Sequence, residues 1–145
     1  MPKNEIESFI EHIVDNNSTL LGIVVRSEYD KEGVNFFTSN SFPFQLGFIK
    51  QPKGYVSKPH THVLLSEDNV VRDVQEVVFV VEGVFEVDFY SGGKTVLETV
   101  TLNKGDACLF VSGGHGYRMG TDCKVVTVKQ GPYPGAETAK AYIKR

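Results

Sequence analysis

The chain has 145 residues, 41% of them hydrophobic and 23% charged, so a folded core is expected and intrinsic disorder is excluded. Lys and Arg number 15 and Asp and Glu 18, which gives a net charge of −3. This balance argues against a nucleic-acid partner, which needs a concentrated basic surface. No apolar run approaches the ~20 residues that span a bilayer, so no membrane partner is expected.

The N-terminal segment has apolar residues spaced by three and four, namely Ile6, Phe9, Ile10, Ile13 and Val14. This spacing predicts an amphipathic helix over residues 4–15, and we assign residues 1–17 to an N-terminal helical segment. The segment lacks the apolar stretch of a signal peptide, and two cysteines make no disulfide framework. Both features favour a reduced, cytoplasmic protein in which Cys108 and Cys123 are small buried hydrophobic residues.

From Thr19 onward the chain consists of short β-branched runs separated by Gly, Pro, Asn and Asp. These runs predict nine strands, at residues 20–26, 42–50, 60–65, 76–81, 84–90, 95–102, 107–111, 117–119 and 124–130. No helical crossover is visible among them, so we expect an antiparallel sandwich or barrel over residues 19–130. The tail at 131–145 is expected to form a short helix or an extended arm, and the whole chain, 1–145, a single domain.

The predicted strand at 76–81 is apolar at five consecutive positions after its first residue, Glu76. Such a strand needs cover on both faces. One face would point into the barrel, and the other needs a second sheet or a second subunit. We therefore expect a homodimer.

Three of the four histidines occupy positions suited to metal binding. His60 and His62 lie two residues apart, so on a strand their side chains point to the same face. Glu76 opens an apolar run, where a carboxylate is costly without a partner that a cation would supply. His115 lies among glycines that let the backbone approach closely. These residues are candidates for one metal site, whereas His12 is expected at the surface.

Two stretches of the chain resemble the motifs of the cupin superfamily. Gly54, His60 and His62, followed by Glu76 and Gly83, resemble the first motif, and Gly105-Asp106 with the later His115 resembles the second. The second motif, SGGHG, is similar to that of a group of small bacterial cupins without an assigned reaction. The resemblance implies an all-β fold, an antiparallel double-stranded β-helix or jelly roll, with residues 63–75 looping out. It also implies a divalent metal ion bound by His60, His62, Glu76 and His115.

Three histidines and one carboxylate suit Fe, Mn, Ni, Co, Cu or Zn and leave coordination positions open for a small molecule. One hypothesis is therefore a metal-dependent oxygenase or isomerase acting on a small oxygenated substrate, such as a sugar derivative or a hydroxy or keto acid. The alternatives are a non-catalytic small-ligand-binding cupin and a metal-independent sugar epimerase that uses acid–base chemistry. No catalytic residue is assigned. Polar residues near the expected barrel mouth are candidates for substrate binding: Gln45, Lys50, Tyr55, Arg72, Tyr117 and Lys129.

Overall fold

The computed structural model describes residues 9–67, 70–90, 94–135, 138 and 140–143, and of residues 65–67 and 70–72 it describes the backbone alone. Within these ranges the secondary structure is all β, and no helix is long and apolar enough to cross a membrane. The strands, in chain order, are β1 Ile10–Val14, β2 Leu20–Val25, β3 Gly33–Phe36, β4 Phe44–Gln51, β5 His60–His62, β6 Leu65–Glu67, β7 Val70–Arg72, β8 Glu76–Glu82, β9 Val84–Tyr90, β10 Val96–Asn103, β11 Ala107–Phe110, β12 Gly114–Met119, β13 Cys123–Gln130 and β14 Lys140–Tyr142.

Two antiparallel five-stranded sheets form the body of the molecule. The β8 sheet has the strand order β11-β8-β13-β4-β3, and the β9 sheet has the order β10-β9-β12-β5-β14. Both sheets contribute to one apolar core, which consists of Ile49, Val78, Val80, Phe85, Val87, Leu102, Phe110, Met119, Cys123 and Val125. The expected all-β jelly-roll architecture is therefore confirmed.

The predicted N-terminal helix is wrong where the structure describes it. Residues 10–14 form β1, which pairs with β2 in an antiparallel hairpin, and residues 1–8 lie outside the described residues. The apolar residues here are β-branched, which favours a strand. The Asp15 carboxylate accepts hydrogen bonds from the backbone N–H groups of Asn17 and Thr19, both at 2.8 Å, and this closes the turn. His12 is exposed on β1, as expected.

All nine predicted strand regions contain strand, with ends shifted by a few residues. The segment between His62 and Glu76 carries the additional hairpin β6-β7, which occupies the expected loop. In the described part of the tail, residues 140–142 form β14, which pairs with β5 at the edge of the β9 sheet. Strand β3 was not predicted, since Gly33 and Asn35 interrupt its apolar pattern.

The turn at Gly83, between β8 and β9, carries the chain from one sheet to the other. Gly83 has a φ of 84°, in the region that favours glycine, and a Cβ there would lie 2.2 Å from the Asp122 carbonyl oxygen. A side chain at this position would therefore collide with backbone. This turn separates β9 of the other sheet from β8, which pairs with β13 so that Lys129 lies opposite Glu76.

Strand β8 alternates between a buried and an exposed face. Val78 and Val80 are buried in the core, whereas Val77 is 40% exposed and Phe79 is 44% exposed. Within the described residues no second sheet covers the outer face, so of the two expected covers a second subunit is left. Cover by a second subunit remains a prediction.

Candidate metal site

Three histidines from two neighbouring strands of the β9 sheet converge on one point. His60 and His62 lie on β5 and point to the same face, and His115 of β12 is the cross-strand partner of His60. Their potential ligand atoms all lie within 4.8 Å of one another, and they could hold a metal ion. The centroids of the three imidazole rings are 4.7, 5.0 and 5.3 Å apart. The predicted trio is thus brought together by register alone.

Backbone carbonyl groups determine which ring nitrogen of each β5 histidine is free. His60 Nδ1 lies 3.1 Å from the Lys58 carbonyl oxygen, and His62 Nδ1 lies 3.1 Å from the Val74 carbonyl oxygen. A carbonyl oxygen only accepts hydrogen bonds, so both Nδ1 atoms carry the proton and donate it. The lone pair of each ring is then on Nε2, which is the arrangement found in metal-ligating histidines.

Glu76 faces the histidines from the opposite sheet. The Thr127 hydroxyl donates a hydrogen bond of 2.6 Å to Glu76 Oε1, and Glu76 Oε2 lies 3.2 Å from His62 Nε2. Burial raises the pKa of the Glu76 carboxyl, and the hydrogen bond that the Thr127 hydroxyl donates lowers it. This hydrogen bond stabilises the carboxylate form of Glu76. It lies beside the histidine trio and is not one of the three residues whose ligand atoms group within 4.8 Å.

The buried His62 Nε2 atom has no hydrogen-bond partner among the described residues. Although Glu76 Oε2 is within ion-pair distance, the His62 proton is on Nδ1, so a nitrogen lone pair faces a negatively charged oxygen. Two such groups in a buried position repel each other unless a cation lies between or beside them. The donor set and this unpartnered nitrogen fit a bound metal ion.

His115 is held between close-packed backbone and an aromatic ring. A Cβ on Gly114 would lie 2.5 Å from the Ile143 side chain, and one on Gly116 would lie 3.3 Å from Pro59. The flanking glycines therefore let β12 approach its neighbours closely. The His115 ring stacks on Phe110 with centroids 4.0 Å apart. Burial lowers the pKa of His115 to about 3, so the imidazole is neutral at pH 7 and its lone pair is available.

A cavity of about 250 Å³ lies between the two sheets beside the histidines, and we call it the main cavity. Its polar lining consists of His60, Glu76, His115, Tyr117, Thr127, Lys129, Tyr133 and Lys140, and its apolar lining includes Val34, Phe36, Ile49, Val78, Phe85 and Phe110. This volume is slightly below the ~300–1,000 Å³ of most small-molecule sites. A second cavity of about 280 Å³ reaches His62 and His115 from the side of Ser112 and Asp73.

The residues that the sequence suggested for substrate binding have different placements. Lys129 and Tyr117 line the main cavity, and Tyr55 packs against Tyr117 with ring centroids 6.0 Å apart and lines an adjoining pocket. Burial raises the pKa of Tyr117, so its hydroxyl stays protonated. Gln45 and Lys50 lie outside this cavity, and the side chain of Arg72 is outside the described part of the structure.

Gln45 is buried but does not line the cavity, because its amide bonds the Thr38 hydroxyl and two carbonyl oxygens of the loop at 39–42. Lys50 forms an ion pair with Asp30 and lies outside the cavity. Arg72 ends β7, and its side chain lies outside the described part of the structure. Gln45 thus supports a loop and Lys50 forms a surface ion pair, and neither lines the cavity.

The sequence analysis missed several cavity residues. Thr127 lies within the apolar run of β13, where a single hydroxyl residue among valines was the only available signal. Tyr133 and Lys140 come from the tail, and Phe110 was interpreted only as part of an apolar strand. The contribution of the tail depends on the pairing of β14 with β5, which no local pattern indicates.

The fold is similar to that of several solved structures. A conserved Klebsiella pneumoniae protein with a double-stranded β-helix domain is 17% identical, with a TM-score of 0.57 over 83% of this chain and 86% of that one. The protein BH2720 from Bacillus halodurans is 13% identical, with a TM-score of 0.60 over 73% of this chain and 75% of that one. A cupin superfamily protein from Desulfitobacterium hafniense is 10% identical, with a TM-score of 0.51 over 70% of this chain and 82% of that one.

The comparisons by sequence, unlike the comparison by structure, found no match. No protein-family model and no curated protein matches the chain. The structural likeness, together with the two antiparallel sheets and their order, shows the double-stranded β-helix fold that the motif resemblance implies.

Proposed function

We propose that this chain binds a divalent metal ion through His60, His62 and His115, and that its main cavity binds or acts on a small oxygenated molecule. Hydroxy acids, keto acids and sugar derivatives are the expected class. The observation that carries the proposal is the buried, unpartnered Nε2 of His62 within a trio of histidine ligand atoms less than 4.8 Å apart. In a barrel that binds nothing, a buried polar atom without a hydrogen bond would only lower the stability of the fold.

The nature of the donors supports a transition metal. Imidazole nitrogens suit Fe, Mn, Co, Ni, Cu and Zn better than Mg or Ca, which prefer oxygen ligands. Glu76 is the nearest candidate for a fourth ligand, since its Oε2 already lies 3.2 Å from His62 Nε2. A bound divalent ion would supply Lewis-acid chemistry toward a substrate oxygen.

The chain's own residues would prepare the site and exclude water. The Lys58 and Val74 carbonyl oxygens hold the β5 imidazoles in one tautomer. The Thr127 hydroxyl fixes one oxygen of Glu76 and leaves the other directed toward His62. Phe110 and Phe85 form apolar walls of the cavity, and the protonated Tyr117 hydroxyl is a hydrogen-bond donor for a bound molecule.

Binding without turnover is the second candidate function, and the same cavity favours it. Its lining has a protonated Tyr117 and a Lys129 ammonium, which are groups that position a ligand whether or not a reaction follows.

A metal-independent epimerase would need a base and an acid on opposite sides of the substrate. His60 and Tyr117 both line the cavity and would take these roles. Turnover with and without metal, measured on hydroxy acids and sugar derivatives, separates the three hypotheses.

The proposal is tested by the metal content of the purified protein. We expect about one divalent ion per chain in the wild type and a loss of most of it in His62→Ala and His115→Ala. His12→Ala is the matched control, because His12 is exposed on β1 away from the site. Thermal unfolding of each metal-free variant shows whether the fold is intact. Substoichiometric metal in the wild type that is unchanged in both site variants would contradict the proposal.

A further inference from the structure

Lys129 is a buried lysine that points into the main cavity. It is 5% exposed on β13, and its ammonium makes no ion pair or hydrogen bond among the residues that the structure describes. Its recorded contact is with the Tyr133 ring, whose centroid is 5.9 Å from Nζ. A ring face at that distance is a weak partner for a charge removed from water.

Glu76 does not neutralise Lys129 by direct contact. The two residues are cross-strand partners in the β8 sheet, but the Glu76 oxygens are directed to the Thr127 hydroxyl and to His62. Buried lysines are almost always paired, because an isolated ammonium loses its hydration without compensation. Burial accordingly lowers the pKa of Lys129, an effect that Glu76 opposes. No residue in the described ranges therefore pairs with this ammonium, whereas an anion bound in the cavity would.

The net charge of the cavity lining also favours an anionic ligand. Its lining includes two lysines, Lys129 and Lys140, and one carboxylate, Glu76, so these groups sum to +2 − 1 = +1. A divalent ion at the histidines would raise the sum to +3. Positive charge in a partly enclosed, low-dielectric cavity attracts and stabilises an anion.

We propose that the ligand of the main cavity is a small carboxylic acid whose carboxylate pairs with Lys129, with the half-buried Lys140 as the second lysine of the lining. This inference rests on the proposed function, since it names the ligand class of the same cavity. The apolar walls formed by Ile49, Val78 and Phe85 suit the carbon skeleton of such an acid. A single deep ammonium matches one carboxylate, whereas phosphate sites typically collect several donors from backbone and Arg.

The test compares carboxylates with their neutral amides, which have nearly the same size and shape. Glycolate, lactate and 3-hydroxybutyrate are each titrated beside the corresponding amide by calorimetry, with the protein in its metal-free and its metal-loaded form. Inorganic phosphate is titrated as a further probe. We expect at least one carboxylate to bind about tenfold or more tightly than its amide, because a charged hydrogen bond is lost in the amide.

Two lysine variants identify the residue responsible. Lys129→Met should abolish the difference between acid and amide, and Lys129→Gln serves if the methionine variant does not fold. Lys104→Met is the control, because Lys104 is exposed in the turn after β10. Unchanged discrimination in the folded Lys129 variants would overturn the inference.

The outcomes for metal and for anion are separable. Equal binding of acids and amides by metal-loaded wild-type protein, binding of no acid at all, or preferred binding of phosphate would each overturn the carboxylate inference and leave the metal proposal standing. Acid-selective binding by protein that takes up no metal would support the carboxylate inference and contradict the metal proposal.

Discussion

Strand β8 carries different chemistry on its two faces. The inner face combines buried valines with Glu76, and its neighbour β13 adds Thr127 and Lys129 on the same side. The outer face carries Val77 and Phe79, which are 40% and 44% exposed. Across the sheet their registered neighbours are also apolar, namely Leu109, Val126 and Val128. The buried side is thus partly polar, and the exposed side is largely apolar.

Burial of apolar side chains alone would not produce a partly polar inner face and an apolar outer face. Polar groups at buried positions cost free energy unless they are satisfied, so their presence on the inner face indicates a site that binds something. An apolar exposed face indicates a surface that contacts another apolar surface. Each prediction below concerns a side chain on one of the two faces of β8.

The largest expected effect concerns the outer face. If the predicted homodimer forms through the β8 sheet, Phe79→Glu places a charge within an apolar contact and should convert a dimer into the 16.1 kDa monomer. Light scattering coupled to size exclusion measures the mass. Leu97→Glu is the matched control, because Leu97 is 72% exposed on β10 of the other sheet and should leave the mass unchanged. A wild-type protein that is monomeric at micromolar concentration would contradict the prediction.

The next effect compares two adjacent valines of the same strand. Val78 is 1% exposed in the core, so Val78→Ala should lower the free energy of unfolding by about 1–3 kcal/mol. Val77→Ala should cost less than about 0.5 kcal/mol in the monomer, because this side chain is already partly in water. Denaturant melts of both variants measure the difference. Equal losses would show that our assignment of the two faces is wrong.

The third expected effect concerns the carboxylate beside the histidines. Glu76→Gln keeps one carbonyl oxygen and the side-chain size, so metal affinity should fall by about 10–100-fold, less than in His62→Ala. Competition with a chelating dye measures the affinity of the folded variants. An affinity equal to that of the wild type would show that Glu76 neither ligates nor supports the ion.

Sequence analysis predicted the parts of the fold that depend on local pattern. Short β-branched runs between turn residues located the main strands, and the two-residue spacing of His60 and His62 on a strand placed them on one face. It failed at the N-terminus, where apolar residues three and four apart also suit a hairpin whose pairing with β2 decides the outcome. A local pattern cannot express that long-range pairing.

The sequence predicted that His60, His62 and His115 lie close together, and it did not predict most of the residues around them. His115 and Glu76 were found because glycines and an apolar run made them unusual in sequence. Thr127 and Lys140 became visible only through sheet register, since one is a lone hydroxyl in a valine run and the other comes from the tail. Gln45 looked like a cavity residue by alternation, yet its amide supports the loop at 39–42.

The central claim is that His60, His62 and His115 hold one metal ion, and anomalous X-ray diffraction from crystals of the purified protein tests it most directly. We expect a single anomalous peak about 2.0–2.3 Å from the Nε2 atoms of His60 and His62 and from one ring nitrogen of His115, at the absorption edge of a first-row transition metal. A transition-metal-supplemented crystal with no peak at this position, or with His62 Nε2 hydrogen-bonded to Glu76 in its place, would contradict the claim.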